Sequence, residues 1–296
     1  METTGILDGK GLSEQIKEEV AQEVTAWVHQ GHRPPHLAAV LVGEDGASKT
    51  YVDHKVRSCA RVGFESTLIV RPADIEQSEL LEIVHGLNEN PDIDGFIVQL
   101  PLPDHLDAQA VTEAIAPHKD VDGFHPVNMG NLALGLPGFV SATPAGIMTL
   151  LERNGVPTEG KHAVVIGRSS IVGTPMSLLL SRSGQPGNCT VTLCHSRTQN
   201  LKDHCLRADI LVAAVGRPGM VTADMVKEGA VVVDVGITRV EDPTAKRGYR
   251  LQGDVAYDEV AGKCSWITPV PGGVGPMTIV SLLRNTLLAA KAKALN

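Results

Sequence analysis

The feature that most constrains this chain is the alternation of short apolar runs with segments of helical periodicity. In the first half, apolar runs over 37–42, 66–70 and 94–99 are separated by helical patterns over 47–62 and 76–88. The second half continues in the same way, with predicted strands over 162–166, 190–194, 209–215 and 230–235. Since helices that connect strands of one sheet make those strands parallel, the sequence predicts two doubly wound parallel sheets.

The length of the chain favours two α/β domains. At 296 residues it exceeds the size at which one hydrophobic core usually stops growing. We assign residues 1–142 plus 276–296 to one domain and residues 143–275 to a second, Rossmann-like domain. The remaining helices are predicted over 12–28, 143–154, 174–181, 201–207, 223–227 and 277–295. The last of these comes after the second series, and we expect it to pack back on the first domain.

Composition excludes several functional classes. The formal net charge is −8, so the protein as a whole does not attract nucleic acid or an anionic membrane surface. We find no signal sequence and no apolar run near the roughly 18 residues of a membrane span, and we expect a cytoplasmic enzyme. The five cysteines form no CxxC pair, so we expect neither disulfides nor a metal site.

A glycine-bounded turn comes directly after the predicted strand 162–166. It reads Gly167-Arg168-Ser169-Ser170-Ile171-Val172-Gly173 and leads into a helix. In doubly wound sheets such a turn brings backbone amides and a helix N-terminus to a pyrophosphate. The match to GxGxxG is incomplete, because serine replaces the middle glycine, so an ordinary strand-to-helix turn remains an alternative.

The end of the next strand indicates which dinucleotide binds. NAD enzymes place Asp or Glu there for the ribose 2′-hydroxyl, whereas arginine accommodates the 2′-phosphate of NADP. This chain has Ser196 and Arg197 at that point and no carboxylate, while Arg168 offers a second positive charge beside the turn. These residues favour NADP, with a plain polar loop as the alternative.

Tyr51 and Lys55 are the first candidates for the reacting centre. They are four residues apart on the predicted helix 47–62, so both can reach one ligand. A Tyr-x-x-x-Lys pair also marks short-chain dehydrogenases, but there it lies downstream of the glycine-rich turn. Here the pair precedes the turn by more than a hundred residues, which argues against that family.

Two loops and a proline-glycine segment complete the candidate site. Gln99 ends a buried strand before Leu100-Pro101-Leu102-Pro103, and Asp122 lies in Lys119-Asp120-Val121-Asp122-Gly123. Ligands bind at carboxyl ends of strands in open α/β sheets, although loop capping would also account for both residues. The segment 269–278 reads Pro-Val-Pro-Gly-Gly-Val-Gly-Pro-Met-Thr. Its prolines stiffen the backbone and its glycines let a ligand approach the backbone closely, although an interdomain hinge would also account for the segment.

Together these motifs, in this order along nearly the whole chain, resemble the bifunctional methylenetetrahydrofolate dehydrogenase/cyclohydrolase family. The resemblance implies NADP-dependent oxidation of 5,10-methylenetetrahydrofolate to the methenyl cation, and then hydrolysis to 10-formyltetrahydrofolate. It also implies a homodimer that associates through the second domain.

The resemblance assigns roles to individual residues. Lys55 handles protons in the cyclohydrolase step, Gln99 positions it, Tyr51 helps to hold the substrate, and Asp122 binds the pterin. The implied cofactor contacts are Gly167, Arg168, Ser169, Ser196, Arg197, Ile237 and Thr278. The implied substrate contacts are Tyr51, Lys55, Gln99, Asp122, Pro271, Gly272 and Gly275.

The chain departs from the family pattern at two places. Ser141-Ala142-Thr143-Pro144 replaces a common Pro-Cys-Thr-Pro, so no role of that cysteine transfers, and the loop 183–187 is slightly longer. Two alternative functions remain open: a dehydrogenase with little cyclohydrolase activity and a non-catalytic NADP-binding sensor.

Overall fold

The computed structural model describes residues 4–43, 46–245 and 248–295. Residue contacts divide the chain into two compact units. Unit 1 comprises residues 1–13 and 143–278, and unit 2 comprises residues 14–142 and 279–296. Each unit contains a parallel sheet with helices, so the predicted two-part α/β fold is confirmed.

Strands and helices alternate along most of the described residues. The strands are β1 (Gly5–Ile6), β2 (His36–Val42), β3 (Glu65–Arg71), β4 (Gly95–Val98), β5 (His162–Ile166), β6 (Thr190–Cys194), β7 (Ile210–Ala213), β8 (Val231–Asp234), β9 (Thr238–Glu241), β10 (Tyr249–Gln252) and β11 (Trp266–Ile267). The α-helices are α1 (Gly9–His29), α2 (Gly46–Val62), α3 (Gln77–Glu89), α4 (Ala108–Ala114), α5 (Pro126–Leu134), α6 (Ala142–Arg153), α7 (Gly173–Ser181), α8 (Leu201–Cys205), α9 (Tyr257–Val260) and α10 (Val274–Ala294).

Unit 2 is built on the three-stranded parallel sheet β3-β2-β4. Its central strand β2 and its edge strand β4 are almost wholly buried, which explains their continuous apolar sequence. The outer strand β3 alternates exposed and half-buried residues instead. The apolar core on one side of the sheet includes Val40, Phe96, Leu80 and Val84.

Helix α10 belongs to unit 2 from Ile279 onward, so the predicted packing of the C-terminal helix on the first domain is confirmed. Asn285 donates hydrogen bonds to the carbonyl oxygens of Val121 (2.8 Å) and Val140 (3.0 Å). Arg284 also pairs with Glu19 of helix α1. The Asn285 contacts hold the backbone at Val121, next to Asp122, and at Val140.

Unit 1 is built on a six-stranded sheet in the order β1-β11-β8-β7-β5-β6, and all its neighbouring strands are parallel. The central strands β5, β7 and β8 are buried along their apolar runs. Strand β6 forms one edge, and β1 forms the other.

The N-terminal residues differ from the sequence-based expectation. The sequence analysis placed residues 1–13 with the first domain, whereas contacts group them with unit 1. The reason is strand β1, which pairs with β11, and two residues are too few to give a periodic signal. The antiparallel hairpin β9-β10 was also not predicted.

Candidate active site

Lys55 is the centre of the candidate site in unit 2. It lies on helix α2 and is only 4% exposed, which is unusual for a lysine. Burial lowers the pKa of its ammonium group because the charged form loses hydration, and the nearby Asp122 carboxylate opposes this shift. The amine is therefore more readily deprotonated than a surface lysine.

Gln99 contacts Lys55 directly, as its predicted positioning role requires. The Lys55 Nζ donates to Gln99 Oε1 at 3.2 Å, and Gln99 Nε2 donates to the Leu100 carbonyl at 2.6 Å. The second bond assigns the amide orientation, because only the nitrogen can donate to a carbonyl. Gln99 comes directly after β4. Its backbone amide donates to the carbonyl of Val40, in strand β2, at 2.9 Å.

The motif 119–123 divides into structural and site residues. Lys119 donates to the carbonyls of Leu87 and Asn90, at 2.9 and 2.7 Å. Asp120 is 1% exposed and accepts the amide of His125 at 2.8 Å. These two side chains hold the loop, whereas the half-buried Asp122 interacts with Lys55.

Two further features fix the Asp122 loop. Gly123 has φ +73°, and a Cβ there would lie 2.6 Å from backbone atoms of 140–141, so only glycine fits. The carbonyl of Asp122 accepts the amide of Ala142 at 3.2 Å. Ala142 is 1% exposed and contributes its backbone to the loop.

Tyr51 and Cys59 lie on either side of Lys55 along helix α2. The Lys55 Nζ is 5.0 Å from the centroid of the Tyr51 ring, a distance at which the ring favours a cation. Cys59 is fully buried, and burial raises the pKa of its thiol to about 12, so it stays neutral. The sequence motifs did not indicate that Cys59 lies near Lys55.

The turn after β5 has the shape that a pyrophosphate site needs. Gly167 has φ +117°, and a Cβ there would lie 2.2 Å from the Ala214 carbonyl oxygen. A Cβ on Gly173 would lie 1.9 Å from the Gly167 carbonyl oxygen. Both glycines are therefore required by close backbone approach, and helix α7 starts directly behind them.

Ser169 contributes to the shape of the turn. Its Oγ accepts the amides of Val172 and Gly173, at 3.2 and 3.4 Å, and so satisfies donors at the start of helix α7. Arg168 and Ser170 are exposed at the same turn. The structure thus gives Ser169 a capping role that the sequence motif did not reveal.

The loop after β6 is a tight turn. The amide of His195 donates to Thr198 Oγ1 at 2.8 Å, and the Thr198 amide donates back to the His195 carbonyl at 2.8 Å. Ser196 and Arg197 between them are exposed. A serine and an arginine are therefore available at the carboxyl end of β6, with no carboxylate at 195–198.

The remaining predicted contacts lie after strands β8 and β11 or in the first turns of helix α10. Ile237 is 60% exposed, directly after β8 and a two-residue link. Pro271 is exposed, Gly272 and Gly275 are half-buried, and Gly275 has open space where a Cβ would be. Thr278 is largely buried, and its hydroxyl lies 3.0 Å from that of Thr143.

Metal and membrane features were searched over the described residues. No group of three or more His, Cys, Asp or Glu side chains there is arranged to hold a metal ion. None of the helices in the same residues combines the length and the hydropathy of a membrane span.

Family models match both halves of the chain. The catalytic domain of tetrahydrofolate dehydrogenase/cyclohydrolase matches residues 7–122, and the NAD(P)-binding domain of the same family matches residues 141–294. The first model contains Lys55, Gln99 and Asp122, and the second contains the turn 167–173.

Relatives and solved structures agree with these models. The bifunctional protein FolD of Porphyromonas gingivalis is 62% identical over 98% of this chain and 99% of its own length. The bifunctional FolD enzyme of Campylobacter jejuni is 44% identical, with a TM-score of 0.91 over 98% of this chain and 99% of its own. The Trypanosoma brucei enzyme, solved with NADP cofactor and inhibitor, is 38% identical, with a TM-score of 0.95 over the full length of both chains. The resemblance inferred from the motifs is thereby confirmed, and the chain belongs to the tetrahydrofolate dehydrogenase/cyclohydrolase family.

Proposed function

We propose that this chain catalyses two consecutive steps on tetrahydrofolate-bound one-carbon units. NADP-dependent oxidation converts 5,10-methylenetetrahydrofolate to the 5,10-methenyl cation, and addition of water then gives 10-formyltetrahydrofolate with release of a proton. The observation that carries the proposal is the buried Lys55, bonded to Gln99 and facing Asp122, within a chain that has a shaped dinucleotide turn.

Lys55 is the proton-handling catalytic residue of the hydrolytic step. Water that adds to the methenyl carbon loses a proton, and ring opening places a proton on the departing nitrogen. A buried amine with a lowered pKa can take up the first proton and supply the second. Gln99 holds the amine in place, because its own amide is locked by the Leu100 carbonyl.

Asp122 and Tyr51 serve the substrate as well as the lysine. Burial raises the pKa of Asp122, and the nearby Lys55 opposes that shift, while the carboxyl oxygens can accept hydrogen bonds. Such an acceptor suits the N–H donors of a pterin ring. Tyr51 offers an aromatic face 5.0 Å from the Lys55 amine, against which a flat ring can pack.

Unit 1 supplies the cofactor contacts. When bound, NADP accepts the hydride of the one-carbon bridge. The turn 167–173, in front of helix α7, receives the pyrophosphate, with Arg168 beside it. Ser196 and Arg197 receive the 2′-phosphate, because a hydroxyl donor and a planar guanidinium suit a phosphate that a carboxylate would repel.

The remaining assignments extend this proposal. Ile237 and Thr278 contact the cofactor, and Pro271, Gly272 and Gly275 approach the substrate. In functional terms, residues 1–142 plus 276–296 form the catalytic and folate-binding domain, and residues 143–275 form the NADP-binding domain.

We also propose a cytoplasmic homodimer. The edge strand β6 of the large sheet has unpaired backbone groups and an exposed Leu193, which a second copy can cover. All five cysteines are free and buried, which suits a reducing compartment.

The test measures both reactions in one preparation. Folate-dependent reduction of NADP and of NAD is measured side by side, and the decay of added methenyltetrahydrofolate is measured without cofactor. We expect both activities, with a clear preference for NADP. Absence of methenyl hydrolysis would leave a dehydrogenase only, and absence of both would leave a binding protein.

A further inference from the structure

Unit 1 contains a fully buried carboxylate that no motif singled out. Asp254 is 0% exposed and comes after strand β10 and a single glycine. Its Oδ2 accepts the amides of Val215 (2.6 Å) and Gly216 (3.1 Å), and its Oδ1 accepts the amide of Arg217 (2.6 Å). One side chain therefore fixes three consecutive backbone amides after strand β7.

A second buried carboxylate braces the first. Asp234, at the end of β8, is 4% exposed. Its Oδ1 accepts the amides of Gly236 (3.0 Å) and Asp254 (2.8 Å), and its Oδ2 accepts that of Val255 (2.9 Å). The two carboxylates thus hold six amides from three segments.

The glycines around the pair leave no room for side chains. A Cβ on Gly253 would lie 1.9 Å from Asp234 Oδ2, and a Cβ on Gly236 would lie 2.4 Å from Asp254 Cγ. The backbone is therefore wrapped closely around both carboxylates.

These segments surround the proposed cofactor surface. Ala214, next to the segment 215–217, donates its amide to Ile166 at 2.8 Å, and its carbonyl would collide with any Cβ on Gly167. Ile237 comes directly after Gly236. The segment fixed by Asp254 therefore adjoins the dinucleotide turn, and the segment fixed by Asp234 carries a proposed cofactor contact.

Thr268 extends the arrangement to a third loop. Its Oγ1 accepts the amide of Asp234 at 2.7 Å, and its Cβ lies 2.7 Å from where a Cβ on Gly273 would be. Thr268 thus connects Asp234 to the segment 269–275, which begins at the next residue and packs against Thr268 at Gly273.

Two adjacent buried carboxylates are an unfavourable way to hold a fold. Each loses hydration and each repels the other, and burial raises the pKa of Asp234 to about 6. Apolar packing would hold the strands at lower cost, as it does in the core of this sheet. What the carboxylates provide is a fixed direction for backbone amides and carbonyls in loops that apolar side chains cannot orient.

We propose that Asp254 and Asp234 are positioning residues for the dehydrogenase reaction, which shape loops 214–217 and 235–237 to receive the dinucleotide. This inference rests on the proposed NADP-dependent function. Neither residue touches the cofactor, since both are enclosed by backbone, and each acts through the loop that it holds.

The main test is Asp254→Asn. Asparagine keeps the shape but presents an NH2 group to amides that need an acceptor, so at least one hydrogen bond is lost. We expect the Kd for NADP and its KM to rise about tenfold, which corresponds to about 1.4 kcal/mol. Methenyl hydrolysis, assayed without cofactor, should keep its kcat within twofold. NADP affinity within twofold of the wild type in the folded variant would overturn the proposal.

Asp209→Asn is the matched control. Asp209 also accepts a backbone amide in unit 1, that of His162 at 2.9 Å, but it lies at the opposite ends of the strands. We expect unchanged NADP affinity, and an equal loss in both variants would mean a general effect on stability. If Asp254→Asn does not fold, Thr268→Val removes one hydrogen bond of the same cluster and should raise the Kd for NADP about threefold. An unchanged Kd in Thr268→Val would then overturn the proposal.

The failure of this proposal is distinguishable from failure of the proposed function. NADP affinity is measured by calorimetry without folate, so it does not depend on the activity. A wild-type chain that binds NADP but oxidises no folate would refute the proposed function alone. An active wild type together with normal NADP affinity in Asp254→Asn would refute the positioning role alone.

Discussion

The parallel sheets of the two units are alike at the amino ends of their strands and different at the carboxyl ends. In each unit, a histidine is the first residue of an inner strand. Its backbone amide donates to an aspartate that comes just before the neighbouring strand on one side. Its Nε2 forms a hydrogen bond with a threonine hydroxyl in the neighbouring strand on the other side. The arrangement consists of His36, Asp94 and Thr67 in unit 2, and of His162, Asp209 and Thr192 in unit 1. In both, the threonine is two residues beyond the partner of the histidine in the strand register.

The carboxyl ends carry the residues of the two proposed sites. Unit 2 places the buried amine of Lys55 there, with the side chains of Gln99 and Asp122 near it. Unit 1 places glycines and backbone amides there, shaped by the buried Asp234 and Asp254. The comparison teaches that the shared amino ends serve the fold, while the two proposed sites differ in the loop and helix residues near the carboxyl ends of the strands.

The largest effect is expected at Lys55. Lys55→Ala removes the group proposed to move protons in hydrolysis, and we expect the rate of methenyl hydrolysis to fall by about 10²- to 10⁴-fold. NADP affinity, which belongs to unit 1, should stay within twofold. Lys49→Ala on the exposed face of the same helix is the control and should leave hydrolysis unchanged. Hydrolysis at the wild-type rate in Lys55→Ala would show that another residue handles the proton.

The reciprocal change in unit 1 is Gly167→Ala. The new Cβ would collide with the Ala214 carbonyl, and the positive φ adds strain, so we expect NADP affinity to fall by about tenfold or more. Methenyl hydrolysis without cofactor should persist. Gly155→Ala is the control, because Gly155 has φ +66° but open space around it. Similar NADP affinity in both variants would mean that the turn is not a cofactor site.

The shared arrangement at the amino ends can be compared by denaturation. Asp94 is 1% exposed and accepts two hydrogen bonds from Arg33, whereas Asp209 is 31% exposed and pairs with Lys227. We expect Asp94→Asn to lower the free energy of unfolding by about 2 kcal/mol, because it leaves a cation with a weakened partner. Asp209→Asn should lower the free energy of unfolding by about 1 kcal/mol or less, because exposed ion pairs contribute little to stability. The reverse order would contradict the assignment of Asp94 as the more strongly bonded of the two.

The smallest effects concern pH. Burial lowers the pKa of Lys55, so hydrolysis that needs the neutral amine should rise with pH and reach half its maximum below the ordinary lysine pKa. Asp122→Asn removes a charge that favours the ammonium form, and the midpoint of kcat against pH should move down. Gln99→Glu adds a negative charge at the 3.2 Å contact, and the midpoint should move up. Shifts in the same direction would show that Lys55 is not the group that titrates.

Much of the fold was predictable because its signals are local. The buried strands β2, β5 and β7 and the helices between them are indicated by apolar runs and periodicity, with boundaries that differ by a few residues. Strand β1 and hairpin β9-β10 were missed, because a two-residue strand has no period and the hairpin is only half-buried.

The candidate site was predictable in part. Lys55, Gln99 and Asp122 stood out by motif, and Lys55 and Gln99 are in contact while Asp122 faces the lysine. Asp234 and Asp254 were not recognised, although each lies within two residues of a glycine near the end of a strand. An aspartate in that position usually caps a turn, and only burial distinguishes the present pair from that common case.

The sequence by itself determined the alternation of strands and helices, the glycine turn with its serine and arginine neighbours, and the family. These depend on residue order and on backbone preferences that act over a few positions. Only the tertiary structure decided that Lys55 is buried, that Lys119 and Asp120 hold a loop while Asp122 faces the lysine, and that two carboxylates brace the loops of unit 1. Burial and charge proximity depend on residues far apart in the chain, and they determine the pKa of a side chain and which amides it can hold.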